Sequence, residues 1–252
     1  MRLLLATAAL AAFAATPVLA QTYSGYAGVA YVDSKVDVGP FDVESDGVQF
    51  EASLAAATAE GLGFQFDGSL GIVERTADSD VETYSGTAHL FRRFGDFGVG
   101  GFLGAIETEG TTIRAAGLGA VSSVADQITV AGGFQVGDFD IDEVARSDFW
   151  GVNGEVRFFV SDDFRLDAGA GLLRQDDADV RVFSVGGEYR IPNSAISLFA
   201  DYSHVNSEAD LDADVVRLGA RFSFGGSLRE RDRTGPSFTG LKHLTALGAA
   251  GS

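Results

Sequence analysis

Val216-Arg217-Leu218-Gly219-Ala220-Arg221-Phe222-Ser223-Phe224 alternates without a break. Val216, Leu218, Ala220, Phe222 and Phe224 are apolar or small, while Arg217, Gly219, Arg221 and Ser223 fall between them. A strand points successive side chains to opposite faces, so this period gives one apolar and one polar face. A helix would bring Arg217, Arg221 and Phe224 close to one stripe and mix the two sets. The stretch therefore reads as a strand, half apolar and half charged.

The same pattern recurs upstream. Leu62, Phe64, Phe66, Leu70 and Ile72 alternate with Gln65, Asp67 and Ser69. Trp150, Val152, Val156, Phe158 and Val160 alternate with Asn153, Glu155 and Arg157. The full set is twelve runs, near residues 22–33, 46–59, 62–75, 81–94, 97–108, 112–125, 127–138, 147–160, 164–175, 180–191, 195–206 and 213–224. Gly and Ala blur the two faces of the fifth and sixth. Short connections such as Glu60-Gly61 and Gly95-Asp96 alternate with longer acidic ones, around 33–46, 74–82, 107–114, 138–148, 174–181 and 206–214.

Aromatic residues mark both ends of the apolar face. Tyr84, Trp150 and Tyr202 fall at the long-connection end, and Phe64, Phe94, Phe158, Phe164, Tyr189 and Phe222 at the short-turn end. Two aromatic girdles around an aliphatic belt are what a transmembrane barrel shows to lipid, and strands of about ten residues suffice to cross. A soluble sandwich or small barrel would instead show a polar outer face. In hydrocarbon an open sheet edge leaves backbone groups unpaired at several kcal/mol each. The expected fold is therefore all-β: a closed antiparallel up-and-down transmembrane β-barrel of about twelve strands, with ten or fourteen as neighbouring counts. Closure requires the Tyr23–Val32 strand to pair with the Val216–Phe224 strand.

Arg217, Gly219, Phe222 and Phe224 give the last strand a polar-x-Gly-x-x-aromatic-x-aromatic order. This resembles the terminal-strand signal of bacterial outer-membrane proteins. With the eleven strands before it, the chain from residue 21 to 224 resembles a porin-like outer-membrane β-barrel domain of Gram-negative bacteria. The resemblance implies recognition of those four residues by the barrel-assembly machinery, and contact with outer-membrane lipids and lipopolysaccharide. It also differs from the family pattern, which commonly stops at the terminal Phe, whereas residues 225–252 follow here.

The chain opens with Arg2, an apolar run from Leu3 to Ala15, Thr16-Pro17, and Val18-Leu19-Ala20 before Gln21. That order is an export signal over residues 1–20, with the run too short and too poorly flanked to anchor. The expected address is the outer membrane with both ends in the periplasm. Residues 225–252 carry four basic residues against Glu230 and Asp232, then Leu241, Leu244 and Leu247 at three-residue spacing. They read as a flexible periplasmic tail; the sharper alternative is docking at the periplasmic mouth through the arginines.

Charge narrows the function. The net charge of −18 and isoelectric point near 4.3 argue against a nucleic-acid partner, which needs a basic face. The absence of cysteine removes disulfides, thiolate metal sites and cysteine nucleophiles. Most of the acids fall in the six long connections. On the polar, inward parity lie Glu51, Asp67, Glu155, Asp167, Glu188 and Asp201, near balance with Arg157, Arg165, Arg190, Arg217 and Arg221. These eleven are the candidate lumen-lining residues. Two readings follow. In one, opposing charges line a narrow passive channel for small hydrophilic solutes, with cations enriched at the acidic mouth. In the other, neighbouring charges pair, for instance Arg157 with Asp167, and the barrel is a non-conducting structural or surface-interaction element.

No catalytic, cofactor or metal residue is assigned. Of the three histidines, His89 takes inward parity, His204 takes lipid-facing parity at the outer rim, and His243 is in the tail. A lipid-modifying enzyme would need an activated nucleophile beside such a His, and none stands two residues from His204. Glu208, Asp210, Asp212 and Asp214, and likewise Asp138, Asp140 and Asp142, suit hard cations by ligand type. Neither run has the calcium-loop spacing.

Overall fold

A computed structural model describes residues 22–38, 41–75, 80–141, 145–175, 178–208, 211–242 and 244. The export signal, Asp142, Asp210 and His243 lie outside the described residues. Twelve strands follow one another: β1 (Thr22–Val38), β2 (Phe41–Ala57), β3 (Leu62–Arg75), β4 (Asp80–Phe94), β5 (Phe97–Thr108) and β6 (Thr111–Ala125), then β7 (Ile128–Ile141), β8 (Ala145–Ser161), β9 (Phe164–Gln175), β10 (Ala178–Arg190), β11 (Ile196–Ser207) and β12 (Leu211–Phe224). Each pairs with the next, and β12 returns to β1, so the sheet closes into an antiparallel barrel. Among the described residues no helix is long and apolar enough to cross a membrane.

Closure runs through the stretch that revealed the fold. Gly25 opposes Phe224, Ala27 opposes Phe222 and Val32 opposes Arg217. Alternation then sorts every wall residue. Leu90, Leu103, Leu118 and Phe222 are 60–67% exposed on the outside, whereas inward Phe91, Phe159 and Leu173 are almost fully covered. Trp150, Tyr202, Phe94, Phe158 and Tyr189 are exposed on the apolar outer face. Register shifts at Ser123/Ala125 and Phe159/Ser161 place irregularities beside two of the short turns, where bulges relieve a tightly turning edge.

Two expectations are corrected. The acidic segments read as long loops are mostly strand. β1 continues to Val38 and β2 begins at Phe41, so the segment near 33–46 is a paired hairpin, with Lys35 opposite Glu44. β7 likewise runs through Asp138 and Asp140, and β12 begins at Leu211 before Asp212 and Asp214. The ladder persists because cross-strand pairing does not depend on lipid, and Val36 and Val43 still alternate with charged residues there. The acidic charge thus sits on protruding hairpins at the mouth opposite the chain ends, called here the distal mouth. The terminal mouth is the one where Thr22 and Phe224 lie.

The second correction concerns the tail. Its described part is folded, not free, and it enters the barrel. After Phe224 the chain reverses at Gly225 and Gly226, both with positive φ (91° and 112°). A Cβ on Gly225 would lie 2.3 Å from that of Ser24, so both backbone angle and space require glycine. A short helix, α1 (Leu228–Thr234), follows. Ser227 caps it and Glu230 bonds back to the Ser227 amide, a complete capping box. Leu228, Arg231 and Asp232 are buried on α1, and Phe238, Leu241 and Leu244 beyond it. The expected amphipathic turn near Leu241 exists as amides donating three residues back, Lys242 to Thr239 and Leu244 to Leu241.

The wall explains why the tail is held. Inward positions on β5 and β6 include Phe102, Ile106, Ile113, Ala115 and Val121, all buried. Those strands are apolar on both faces because one face meets lipid and the other meets the tail. The blurred periodicity of the fifth and sixth runs was the sequence trace of this double burial.

Two outcomes check the fold. Val29 opposes Ala220 directly, within the Cα separation of about 4.4–6.8 Å that a disulfide spans. In this cysteine-free chain, Val29→Cys with Ala220→Cys should oxidise to a closed species. Val29→Cys with Leu218→Cys, two residues out of register, should not; equal cross-linking of both pairs would contradict the register. Ser227→Ala removes a cap worth about 1 kcal/mol, so tryptic cleavage after Arg231 should speed up about fivefold.

Candidate functional site

The lumen is the site, and its inner surface has two halves. Facing the tail, β4 to β9 offer apolar side chains. Phe238 stacks on Phe91 with ring centroids 5.0 Å apart, in a cluster with Ala57, Val121 and Ala131. Leu241 and Leu244 pack among Phe102, Ile106, Ile113, Ala115, Phe149 and Leu173. Glycines make the room: a Cβ on Gly104 would come within 2.8 Å of Leu241, and one on Gly98 within 3.3 Å of Phe238.

Polar groups set the tail's position. Gln65 donates to the Phe238 carbonyl at 2.9 Å and accepts from the amides of Ser237 and Phe238 at 3.0 and 3.2 Å. It treats this extended piece of tail much as a neighbouring strand would. Arg93 donates to the carbonyls of Asp232 and Gly235 and to the Ser237 hydroxyl. Arg157 donates to Asp232 at 2.6 Å, to the Ser237 carbonyl at 2.9 Å, and to Glu155. Lys242 reaches Glu155 at 3.0 Å. At the terminal mouth Arg229 pairs with Asp162, Arg233 with Asp126, and Arg190 donates to the Gly226 carbonyl. The exposed pairs there contribute little, while the buried ones cost about 3–5 kcal/mol if one partner is removed.

The opposite half is a charge network. Glu188 accepts from Arg221 at 2.6 Å, Ser197 at 2.6 Å, Arg231 at 3.3 Å and Arg165 at 3.4 Å. Arg221 also bonds Glu51, and its guanidinium lies over the Phe199 and Tyr26 rings at 3.9 and 4.7 Å. A flat, weakly hydrated guanidinium suits that position where an ammonium would not. Arg217 holds Asp201 at 2.6 Å and Gln49 at 2.9 Å. Arg165 holds Asp167 at 3.2 Å. His89 contacts Asp67 at 3.0 Å.

Among the described residues, two cavities stand out beside the tail. One, of about 160 Å³, is bordered by Glu51, Asp67, Glu155, Arg157, Arg165, Glu188, Arg217 and Arg221. The other, of about 70 Å³, lies toward the distal mouth and is bordered by Asp167, Asp201, Ser184, Ser203 and again Arg217. Each has room for several waters. No residue of β5, β6 or β7 borders either, because the tail covers that wall. Of the eleven lumen candidates, ten border one of the two cavities; Arg190 instead sits at the terminal rim, bonded to Asp163 at 2.6 Å. Arg157 and Asp167 do oppose each other in register. Their side chains nonetheless part, Arg157 toward Glu155 and Asp232, Asp167 toward Arg165.

Sequence reasoning offered the tail arginines only as anchors at the mouth and missed the lumen roles of Arg231, Asp232, Phe238 and Lys242, together with Gln65, Tyr26 and Phe199. The inward phenylalanines on otherwise polar parity were the available signal. Among the described residues no group of His, Asp and Glu is arranged to hold a metal ion. His204 lies at the distal rim within 3.0 Å of Asp214, beside Tyr202, which donates to the same carboxylate.

No protein-family model matches the chain, and no curated protein matches it. Solved structures do. An outer-membrane channel from Pseudomonas putida superposes with a TM-score of 0.60 at 14% identity, over 83% of this chain and 97% of that one. The translocator domain of the autotransporter NalP from Neisseria meningitidis gives 0.55 at 15% identity, over 88% and 95%. The KdgM porin, solved with disordered oligogalacturonate, gives 0.53 at 13%, over 78% and 99%. At such identities the likeness is one of fold: the chain is a closed β-barrel of the outer-membrane kind, porin-like in architecture.

Proposed function

We propose that this protein is a narrow passive channel of the outer membrane for small hydrophilic solutes, its bore reduced by its own C-terminal segment. The observation that carries this reading is the polar crevice beside the tail. Two cavities share a border there, lined by hydroxyl, amide and paired charged groups, while the apolar half of the lumen is covered. The exposed apolar outer face supports placement in a bilayer. In that placement the terminal mouth faces the periplasm, and the acidic hairpins face outward and enrich cations at the entrance. Arg217, Gly219, Phe222 and Phe224 then serve the barrel-assembly machinery, and the girdles contact outer-membrane lipid and lipopolysaccharide. The lumen carboxylates and guanidiniums hold one another, which speaks against catalysis.

Two observations favour a second reading, a non-conducting structural barrel: the lumen charges pair with one another, and the distal end carries an apolar constriction. Val36, Val182, Val205 and Ala213 form a buried apolar cluster facing inward at the distal end of β1 and β10–β12. Such a constriction opposes wetting.

Conductance separates the two. Full-length protein refolded into a planar bilayer should give small single-channel steps. A chain ending at Gly225 should give markedly larger ones. No steps from either would overturn the channel reading. Phe238→Ala deletes a buried ring, at about 3–5 kcal/mol in a packed core. It should loosen the segment and produce steps intermediate between the two, with the thermal transition of the barrel largely retained.

A further inference from the structure

We infer that Lys242, carried by the C-terminal segment and not by the barrel wall, is the selectivity-determining residue of the passage. The inference rests on the channel reading above. Both cavities are bordered by Gln49, Ser69, Ser85, Arg217 and Lys242. These shared residues stand between the two cavities and form what is called here the neck.

Only two of the five carry charge. The Arg217 side chain is 18% exposed and turned to Asp201, Glu51 and Gln49. That of Lys242 is 44% exposed although it lies deep in the barrel, so the side chain reaches lumen water while its ammonium holds Glu155. Its partner Glu155 is 3% exposed and is also held by Arg157. The nearby carboxylates are each held by a partner: Asp167 is 7% exposed and bonded to Arg165, and Asp201 is 19% exposed and bonded to Arg217, while Asp67, 30% exposed and bonded to His89, borders only the larger cavity. An ion at the neck therefore meets an ammonium, two serine hydroxyls and an amide.

The position is built. Leu241 and Leu244 on either side of Lys242 are anchored in the apolar cluster of the far wall. The backbone is fixed there, and the long lysine stem carries its charge across to the polar half. Inside a low-dielectric wall one exposed charge at a constriction acts strongly on permeating ions. Lys242 attracts anions and repels cations at the neck, against the cation enrichment at the acidic distal mouth. Selectivity is the balance of the two, and the tail supplies the anion-favouring part.

The chain has no cysteine, so Lys242→Cys in the full-length protein creates a single thiol. Reversal potentials in a KCl gradient would be measured on this variant before and after thiosulfonate reagents carrying an ammonium or a sulfonate. The chloride-to-potassium permeability ratio should fall in the variant and recover with the ammonium adduct. The two adducts should differ by about tenfold. Equal ratios for the two adducts, with labelling confirmed by mass, would overturn the inference while leaving the channel intact. A thiol that resists both reagents would also overturn it, since the site would not face lumen water. Absence of single-channel steps from the unmodified full chain would overturn the inference, and absence of steps from the chain ending at Gly225 as well would overturn the channel reading itself.

Discussion

The pairing of β1 with β12 is the constraint on which the rest depends. A strand facing hydrocarbon has no water for its amides and carbonyls, and an unpaired edge there costs several kcal/mol per group. Only a closed sheet meets that condition for all twelve strands. Once the sheet closes, alternation leaves no choice of face: one residue points to lipid and the next into an enclosed space. A barrel of this size must then fill or hydrate that space, and the lumen chemistry is the answer to that requirement.

The answer is asymmetric. One half of the lumen is filled by apolar packing between β4–β9 and the tail, the other by guanidinium–carboxylate contacts with water beside them. The two halves are linked by residues of the tail that reach both ways. Arg231 and Asp232 leave α1 on its buried face and join the networks of Glu188 and Arg157. Phe238, Leu241 and Leu244 join the apolar side. Pairs of this kind add little net stability compared with hydrophobic replacements. Their contribution is geometric: a misplaced tail would leave Asp232 or Arg157 buried without its partner.

The likeness to porins, channels and a translocator domain is one of architecture. A barrel of this kind serves several functions on one scaffold, so the lumen decides. Here the lumen holds a folded segment of the same chain, and what remains open is set as much by that segment as by the wall. The same segment explains a local conflict in the pattern. β5 and β6 alternate poorly because small and apolar residues occupy both faces, and both faces are covered.

Much of this was legible in the residues. Period-2 alternation determined the strands and their facing, and narrowed their number to about twelve, because side-chain direction in a strand is a local property. The need to close against hydrocarbon determined that β1 meets β12. The parity of Glu51, Glu188, Arg217 and Arg221 determined that they point inward. Only the tertiary structure decided whom they meet, since Arg221 joins Glu51 and Glu188 from strands far apart in sequence. It also decided that the acidic segments are paired hairpins, and that the described residues after Phe224 fold into the barrel. The physical reason is the same for each. Partners across a lumen depend on register, curvature and a returning segment, none of which leaves a periodic mark on a single strand.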